Sequence, residues 1–303
     1  MDSKKLEVLI RAVDTGSLTA AAAELGYTQS GITHMMNALE NEVGFALLIR
    51  GRYGVIPTEE CRVLLPHIRT LLTDDERLRQ EIASISGVCS GTIRIGSNTS
   101  ISMYWMPTII ARFEARFPQI RLEFFGGASD SMATLLNEGK ADLCFLSRRP
   151  LNCDWIHLAY DPLMAILPPD HPMKTEKEYP VSAMDGQAYL RYSTLRNEDI
   201  AEVEELLKKE HIRPELKLVS NSDYAITSMV EQGLGISILP ELILSGFPQK
   251  VVKLPLCPRT SRDLGIAVRS KKEASPAVRR FIECAEKTIR DGEVYLPGQE
   301  YKG

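Results

Sequence analysis

The residues of this 303-residue chain best suited to reading another molecule lie near its N-terminus. Gln29, Ser30, Thr33, His34 and Asn37 are polar side chains whose spacing puts them on one face of a helix. Thr28 just ahead of them can cap that helix, and Ser17 can cap the one before. Amides and hydroxyls so placed are the groups that hydrogen-bond to base edges in the major groove of double-stranded DNA. Further on, Arg50 and Arg52 flank Gly51. Guanidinium groups on a glycine-punctuated turn suit phosphate or minor-groove contact.

A second set of polar groups lies in the C-terminal two-thirds. Asn98-Thr99-Ser100-Ile101-Ser102 follows a strand-like run and opens a helix, offering hydroxyls and backbone N–H groups to an anion such as a carboxylate. Ser147-Arg148-Arg149 follows another strand and would add a guanidinium clamp, while Asn221-Ser222-Asp223 opens a helix in the opposite lobe. Tyr192 and Ser193 are further candidates. Each has a plainer use: serines near helix starts serve as caps, Arg148 as a solvated surface group, and Asp223 as a stabiliser of its own helix N-terminus. An Asp223 that faces the ligand would disfavour a second acid on it and tolerate an amine.

Catalytic and metal chemistry find no support. The chain has no HExxH, GxSxG, GxxxxGK[ST] or GxGxxG motif, and its histidines (34, 67, 157, 171, 211) are dispersed. No cofactor is implied. The six cysteines lack a CxxC pair and read as reduced cytosolic thiols. Cys144 and Cys153 are close enough to suggest a redox pair, but Cys144 sits in an apolar run that reads as buried strand.

The elements that position these groups change character along the chain. Ser17 caps a helix through the alanine run 20–23 to Leu25, and Gly26 stops it. The helix after Thr28 carries Ile32, Met36, Leu39 and Val43 at helical spacing. Residues 47–58 read as a two-stranded wing. Residues 58–86 read as one long helix. Its stripe Leu64, Ile68, Leu71, Asp75, Leu78, Ile82, Ile85 forms a coiled-coil seam, with Pro66 bending the helix or marking its true start. The narrow stripe suits a partner helix; packing on its own domain is the alternative. After a small-residue hinge at 86–91, strands and helices alternate. Strands are expected at 92–96, 121–125, 142–147, 188–191, 217–219, 236–239 and 265–269. Helices are expected at 100–117, 130–139, 199–210, 223–232 and 275–289. That grammar predicts a parallel sheet with helices on both faces, folded as two α/β lobes with a ligand cleft at the strand ends. The expected domains are 1–58, 59–90, 91–290 and a patternless tail at 291–303.

Composition is that of an ordinary globular protein, with 44% hydrophobic residues and no membrane-length apolar run. The N-terminus has no signal-peptide core, so a cytoplasmic protein is expected. Net charge is −4, and residues 1–86 hold nine lysines and arginines against twelve acids. The basic footprint usual for nucleic-acid binding is missing, so binding must rest on local geometry, helix N-termini and more than one copy of the module.

The chain resembles the LysR-type transcriptional regulators over nearly its whole length. The resemblance is carried by GSLTAAAAELGYTQSGITHMMNALENEVGFALLIR, the wing ending in Pro57-Thr58, the long helix, IRIGSNTSISMYWMPTIIARF, and GLGISILP at 233–240. It implies a fold that is α/β overall: a winged helix-turn-helix, a linker helix and a two-lobed, periplasmic-binding-protein-like effector domain. It also implies homodimers or homotetramers, formed through the linker helix and effector domains, on promoter DNA with a small-molecule effector. By this resemblance Thr28, Gln29, Ser30, Thr33, His34 and Asn37 fall on the recognition helix, and Arg50 and Arg52 on the wing. His34 and Asn37 stand where the family often has basic side chains, and Cys61 where glycine is usual. The leading expectation is a regulator gated by a small polar ligand such as a monocarboxylate. A solute-binding protein without a DNA function is the alternative, and a cytosolic α/β enzyme would need clustered acid–base residues that are not visible.

Overall fold

A computed structural model describes residues 2–51, 54–85, 90–192 and 201–298. They form two compact units, Met1–Gly91 with Glu138–Lys140, and Thr92–Asn137 with Ala141–Gly303.

The first unit opens with three helices, α1 (Ser3–Thr15), α2 (Leu18–Leu25) and α3 (Gln29–Val43). Ser17 accepts the Ala20 N–H and Thr28 the Gly31 N–H, so both expected caps are formed. Gly26 ends α2 in the left-handed region at φ 70°, where a side chain would be strained. Leu6, Leu9, Ala12, Ala21, Ala22, Ile32, Met36 and Leu39 make the shared core, the alanines being small enough to let α2 lie close. The wing pairs β1 (Leu48–Gly51) with β2 (Gly54–Pro57) in antiparallel register, Arg50 opposite Val55. A Cβ on Gly54 (φ +115°) would come within 2.2 Å of the Gly16 carbonyl oxygen, so glycine is required there.

Helix α4 (Glu59–Ile85) follows. The Thr58 hydroxyl accepts the Cys61 N–H at its start, and Pro66 lies inside the helix rather than marking where it begins. Its apolar stripe divides in two. Leu64 and Ile68 pack on the domain core beside the fully buried Cys61, and Arg69 pairs with Asp14 of α1. Leu71, Leu78, Ile82 and Ile85 are exposed, the last three by 59%, 57% and 87%.

The second unit contains β3 (Gly91–Asn98), α5 (Thr99–Tyr104), α6 (Met106–Arg116), β4 (Ile120–Gly127), α7 (Ser129–Asn137), β5 (Leu143–Leu146) and β6 (Asp154–Leu167). It continues with β7 (Tyr179–Pro180), a 3-10 turn at Val181–Met184, β8 (Ala188–Tyr192), α8 (Ala201–Lys209), β9 (Glu215–Ser220) and α9 (Asp223–Glu231). The last elements are β10 (Ser237–Pro240), α10 (Glu241–Leu244), β11 (Val252–Cys257), β12 (Ser261–Val268) and α11 (Pro276–Arg290). The expected helix over 100–117 is two helices, meeting at Trp105. Pro107 has no N–H to donate and so sits in the first turn of a new helix.

The expectation of a parallel sheet is corrected. One sheet runs β4-β3-β5-β12-β6-β11-β7 with β10 also on β6, and β8-β9 form a second. β3–β5, β11–β7 and β8–β9 are parallel, but β12–β5, β12–β6, β10–β6 and β11–β6 are antiparallel. The cause is β6, a 14-residue strand that passes from one lobe to the other with β12 alongside. Its first part pairs with the β12 segment that borders β5, and its last part with β10 and β11. The lobes have separate cores, one around Met132, Leu136 and Leu146, the other around Leu163, Tyr189, Val203 and Ile238. The tail is held down: the Tyr295 hydroxyl and the Gly298 N–H both donate to the buried Glu241 carboxylate, and Trp105 Nε1 donates to the Tyr295 carbonyl.

Candidate functional site

On α3, the buried Ile32, Met36 and Leu39 turn the opposite face outward. Gln29, Ser30, His34 and Asn37 are exposed there, and Thr33 is half-buried with its hydroxyl donating to the Gln29 carbonyl at 2.9 Å. Thr28 and Ser17 are occupied as caps. The wing meets this face: Arg50 Nη2 donates to Asn37 Oδ1 at 2.8 Å and lies 3.2 Å from Glu40 Oε2. The other Glu40 oxygen accepts the Leu47 and Leu48 N–H groups, so one carboxylate fixes the base of the wing and the orientation of its arginine. Arg52 lies outside the described residues.

The second unit holds a cavity of about 50 Å³ between its lobes. The first lobe contributes Asn98, Thr99, Ser100 and the turn Gly127-Ala128-Ser129. The other lobe contributes Tyr192, Glu202, Val203 and Asp223, while Leu163, Ile238, Leu239, Pro240, Ile243 and Arg262 complete the lining. Arg262 is the centre of a hydrogen-bonded array. Its Nη2 donates to Ser100 Oγ at 2.7 Å and its Nε to Asp161 Oδ2 at 2.8 Å. Asp161 is fully buried and also accepts the Leu242 N–H at 2.9 Å. Burial pushes the Glu202 carboxyl up, against the pull of Arg148 and Arg262.

Of the residues expected at an effector site, Thr99, Ser100 and Asp223 line this cavity, and the further candidate Tyr192 joins them. The others stand elsewhere. Ser102 donates its hydroxyl to the Asn98 carbonyl at 2.7 Å, a local helix bond. Ser147 lies behind the lining, its hydroxyl 3.0 Å from that of Ser129. Arg148 is exposed and acts on Glu202 only through its charge. Asn221 is exposed, and Ser222 caps α9 by accepting the Ala225 N–H. Ser193 lies outside the described residues. Arg262, Glu202 and Ser129 are lining residues that sequence spacing does not mark, whereas Asn98, also in the lining, opens the expected segment 98–102. Asn98 had a local signal, since a short polar side chain at a strand end caps the next helix, and it does accept the Ile101 N–H. Arg262 and Ser100 are 162 positions apart, beyond any local pattern.

Two family profiles match. "Bacterial regulatory helix-turn-helix protein, lysR family" matches residues 3–62, and "LysR substrate binding domain" matches residues 86–290. The chain belongs to the LysR family of transcriptional regulators. It is 31% identical to YvbU of Bacillus subtilis, an uncharacterized HTH-type transcriptional regulator, over 94% of this chain and 98% of that one. It is 26% identical to the HTH-type transcriptional regulator MetR of Escherichia coli K12, over 94% and 90%. Full-length OxyR C199D from Pseudomonas aeruginosa shares the fold, with a TM-score of 0.77 at 20% identity over 96% and 95% of the two chains. As a LysR-family protein the chain is a DNA-binding regulator with an effector-binding domain, and the family is one of regulators rather than enzymes. Among the described residues no helix is long and apolar enough to cross a membrane, and no group of three or more His, Cys, Asp or Glu is placed to hold a metal.

Proposed function

We propose that the chain is a cytoplasmic, homo-oligomeric regulator of promoter DNA, read by α3 and the wing and gated by a small polar effector in the inter-lobe cavity. The functional domains are 1–58 for DNA, 59–90 for dimerisation and 91–290 for the effector, with 291–303 as a tail. Gln29, Ser30, Thr33, His34 and Asn37 read base edges, Ser17 and Thr28 hold the helix ends against the backbone, and Arg50 and Arg52 meet phosphate or the minor groove. The observation that carries this reading is the polar, exposed face of α3 set against the Arg50 wing.

The effector reading rests on Ser100 and Arg262, which gather donors suited to a carboxylate at the place where strands end and helices begin. A larger hollow of about 470 Å³, bordered by Tyr160, Arg259, Leu296 and Pro297, is away from those ends. Effector binding changes lobe closure, the packing of effector domains in the oligomer, and so the spacing of recognition helices on bent DNA. The test is a gel-shift titration on DNA upstream of the protein's own gene and its divergent neighbour, against unrelated competitor. Losing the Gln29 contact in Gln29→Ala costs about 1–3 kcal/mol of base discrimination while folding and dimerisation persist. Parent-like operator binding by that variant would show that α3 is not the reading surface.

A further inference from the structure

On the reading above that the exposed face of α3 meets base edges, the wing fixes which end of the Asn37 amide faces outward, and so which base it can read. Asn37 stands one helical turn beyond Thr33 on that face, beside the wing. Its Oδ1 accepts from Arg50 Nη2 at 2.8 Å, and its Nδ2 has no hydrogen-bond partner among the described residues. A guanidinium donates and cannot accept, so the amide must turn its oxygen toward Arg50 and its NH2 group away. Arg50 is itself fixed. The same Nη2 reaches Glu40 Oε2 at 3.2 Å, and Glu40 Oε1 accepts the Leu47 and Leu48 N–H groups at 2.8 and 3.1 Å. A line of constraint thus runs from the wing's backbone through a carboxylate and a guanidinium to the amide. Both Glu40 oxygens are engaged and its side chain is 18% exposed, so it offers little acceptor surface to a base beside Asn37.

An asparagine with both ends free pairs with adenine, accepting from N6 and donating to N7. Here the oxygen is engaged by a cationic donor, and the two N–H groups of Nδ2 are what remains to meet a base. In the major groove, two neighbouring acceptors occur on guanine, as N7 and O6. Adenine and cytosine each present an amine that would confront an N–H group, and thymine offers one acceptor beside a methyl group. We propose that Asn37 and Arg50 act as one donor unit that selects guanine over adenine, with Arg50 as the positioning residue that sets the amide. The Arg50 Nη1 and Nε groups form no hydrogen bond among the described residues and remain for a phosphate.

The experiment is selection of binding sites by the full-length protein from duplexes with a randomised centre, followed by affinity measurement on single-base variants of the selected site. Asn37→Ala should flatten the preference at one position per half-site. In the parent that position should be guanine, favoured over adenine at least about fivefold. Arg50→Met frees the amide oxygen and should erase that preference, while the position read by Gln29 keeps its own. Loss of a phosphate contact alone would instead weaken all sequences alike and lower the salt dependence. Asn37→Asp keeps the shape and the Arg50 partner but replaces donors by acceptors, and should turn the choice toward cytosine or adenine. Each variant is checked for a parental thermal melt. Any base other than guanine at the Asn37 position, or an Arg50→Met variant that weakens every base equally, would overturn the inference and leave α3 as the reading surface. So would parental preferences in Asn37→Ala while Gln29→Ala relaxes a position. If neither Gln29→Ala nor Asn37→Ala changes any position, α3 is not the reading surface, and the ground of the inference goes with it.

Discussion

Arg262 joins parts of the second unit that are remote in sequence: Ser100 at the start of α5, Asp161 in the middle of β6 and, through Asp161, the Leu242 N–H of α10. A buried pair of this kind is weak evidence for stability as such, but breaking it from one side strands a charge. The Asp161 side chain is fully buried and that of Arg262 is 10% exposed. Arg262→Met should therefore cost about 3–5 kcal/mol in urea unfolding, while Asp161→Asn combined with Arg262→Met should recover much of it. A single substitution as stable as the parent would show that the array is hydrated rather than dry. Residue-scale features were readable where they are local: Ser17, Thr28, Ser222 and Ser275 each accept an N–H three residues on. The thiols follow the same logic. Cys144 lies in the apolar run that marked it as buried, and burial pushes it up to about 12, which keeps it protonated and unreactive.

At the scale of elements, periodicity found helices well because a helical stripe survives whatever it packs against. It located α4 but not its two neighbours, since Leu64 and Ile68 on the domain core look the same in sequence as Leu78 and Ile82 in the open. It missed β6 because the pattern there is broken. A strand that is half-exposed at one end and buried on both faces at the other has no single period, and Asp161-Pro162 in its middle reads as a turn. It likewise missed β11, which carries Pro255. The exposed half of the α4 stripe is what a second copy would cover. Leu78→Lys with Ile82→Lys should shift sedimentation toward the monomer. The unfolding free energy from urea titration, measured at a concentration where the parent is also monomeric, should stay within about 0.5 kcal/mol of the parent, because both side chains are surface groups in the single chain. An unchanged oligomer would place the interface elsewhere.

For the whole molecule, sequence indicated a LysR-type chain with two α/β lobes, while the tail and the lining of the cavity needed the fold. Tyr295 and Gly298 bind Glu241, the residue that opens α10, and Ile243 of that helix lines the cavity. A chain of net charge −4, whose first 86 residues hold more acids than bases, gains little from unspecific attraction to DNA. In the proposed oligomer, operator affinity would then depend on correct spacing of more than one recognition helix, which would make it sensitive to any ligand that changes the assembly. Such coupling is reciprocal at equilibrium. If the effector changes operator affinity by a factor of about 5–150, the usual range, saturating operator DNA must change effector affinity by that same factor. Titrating effector into the protein with and without operator, and operator with and without effector, measures both. Equal factors other than one establish a coupled two-site regulator. Two factors of one would mean that the effector acts after DNA binding, through the geometry of the bound DNA rather than its occupancy, and a gel shift would then show altered mobility at constant affinity.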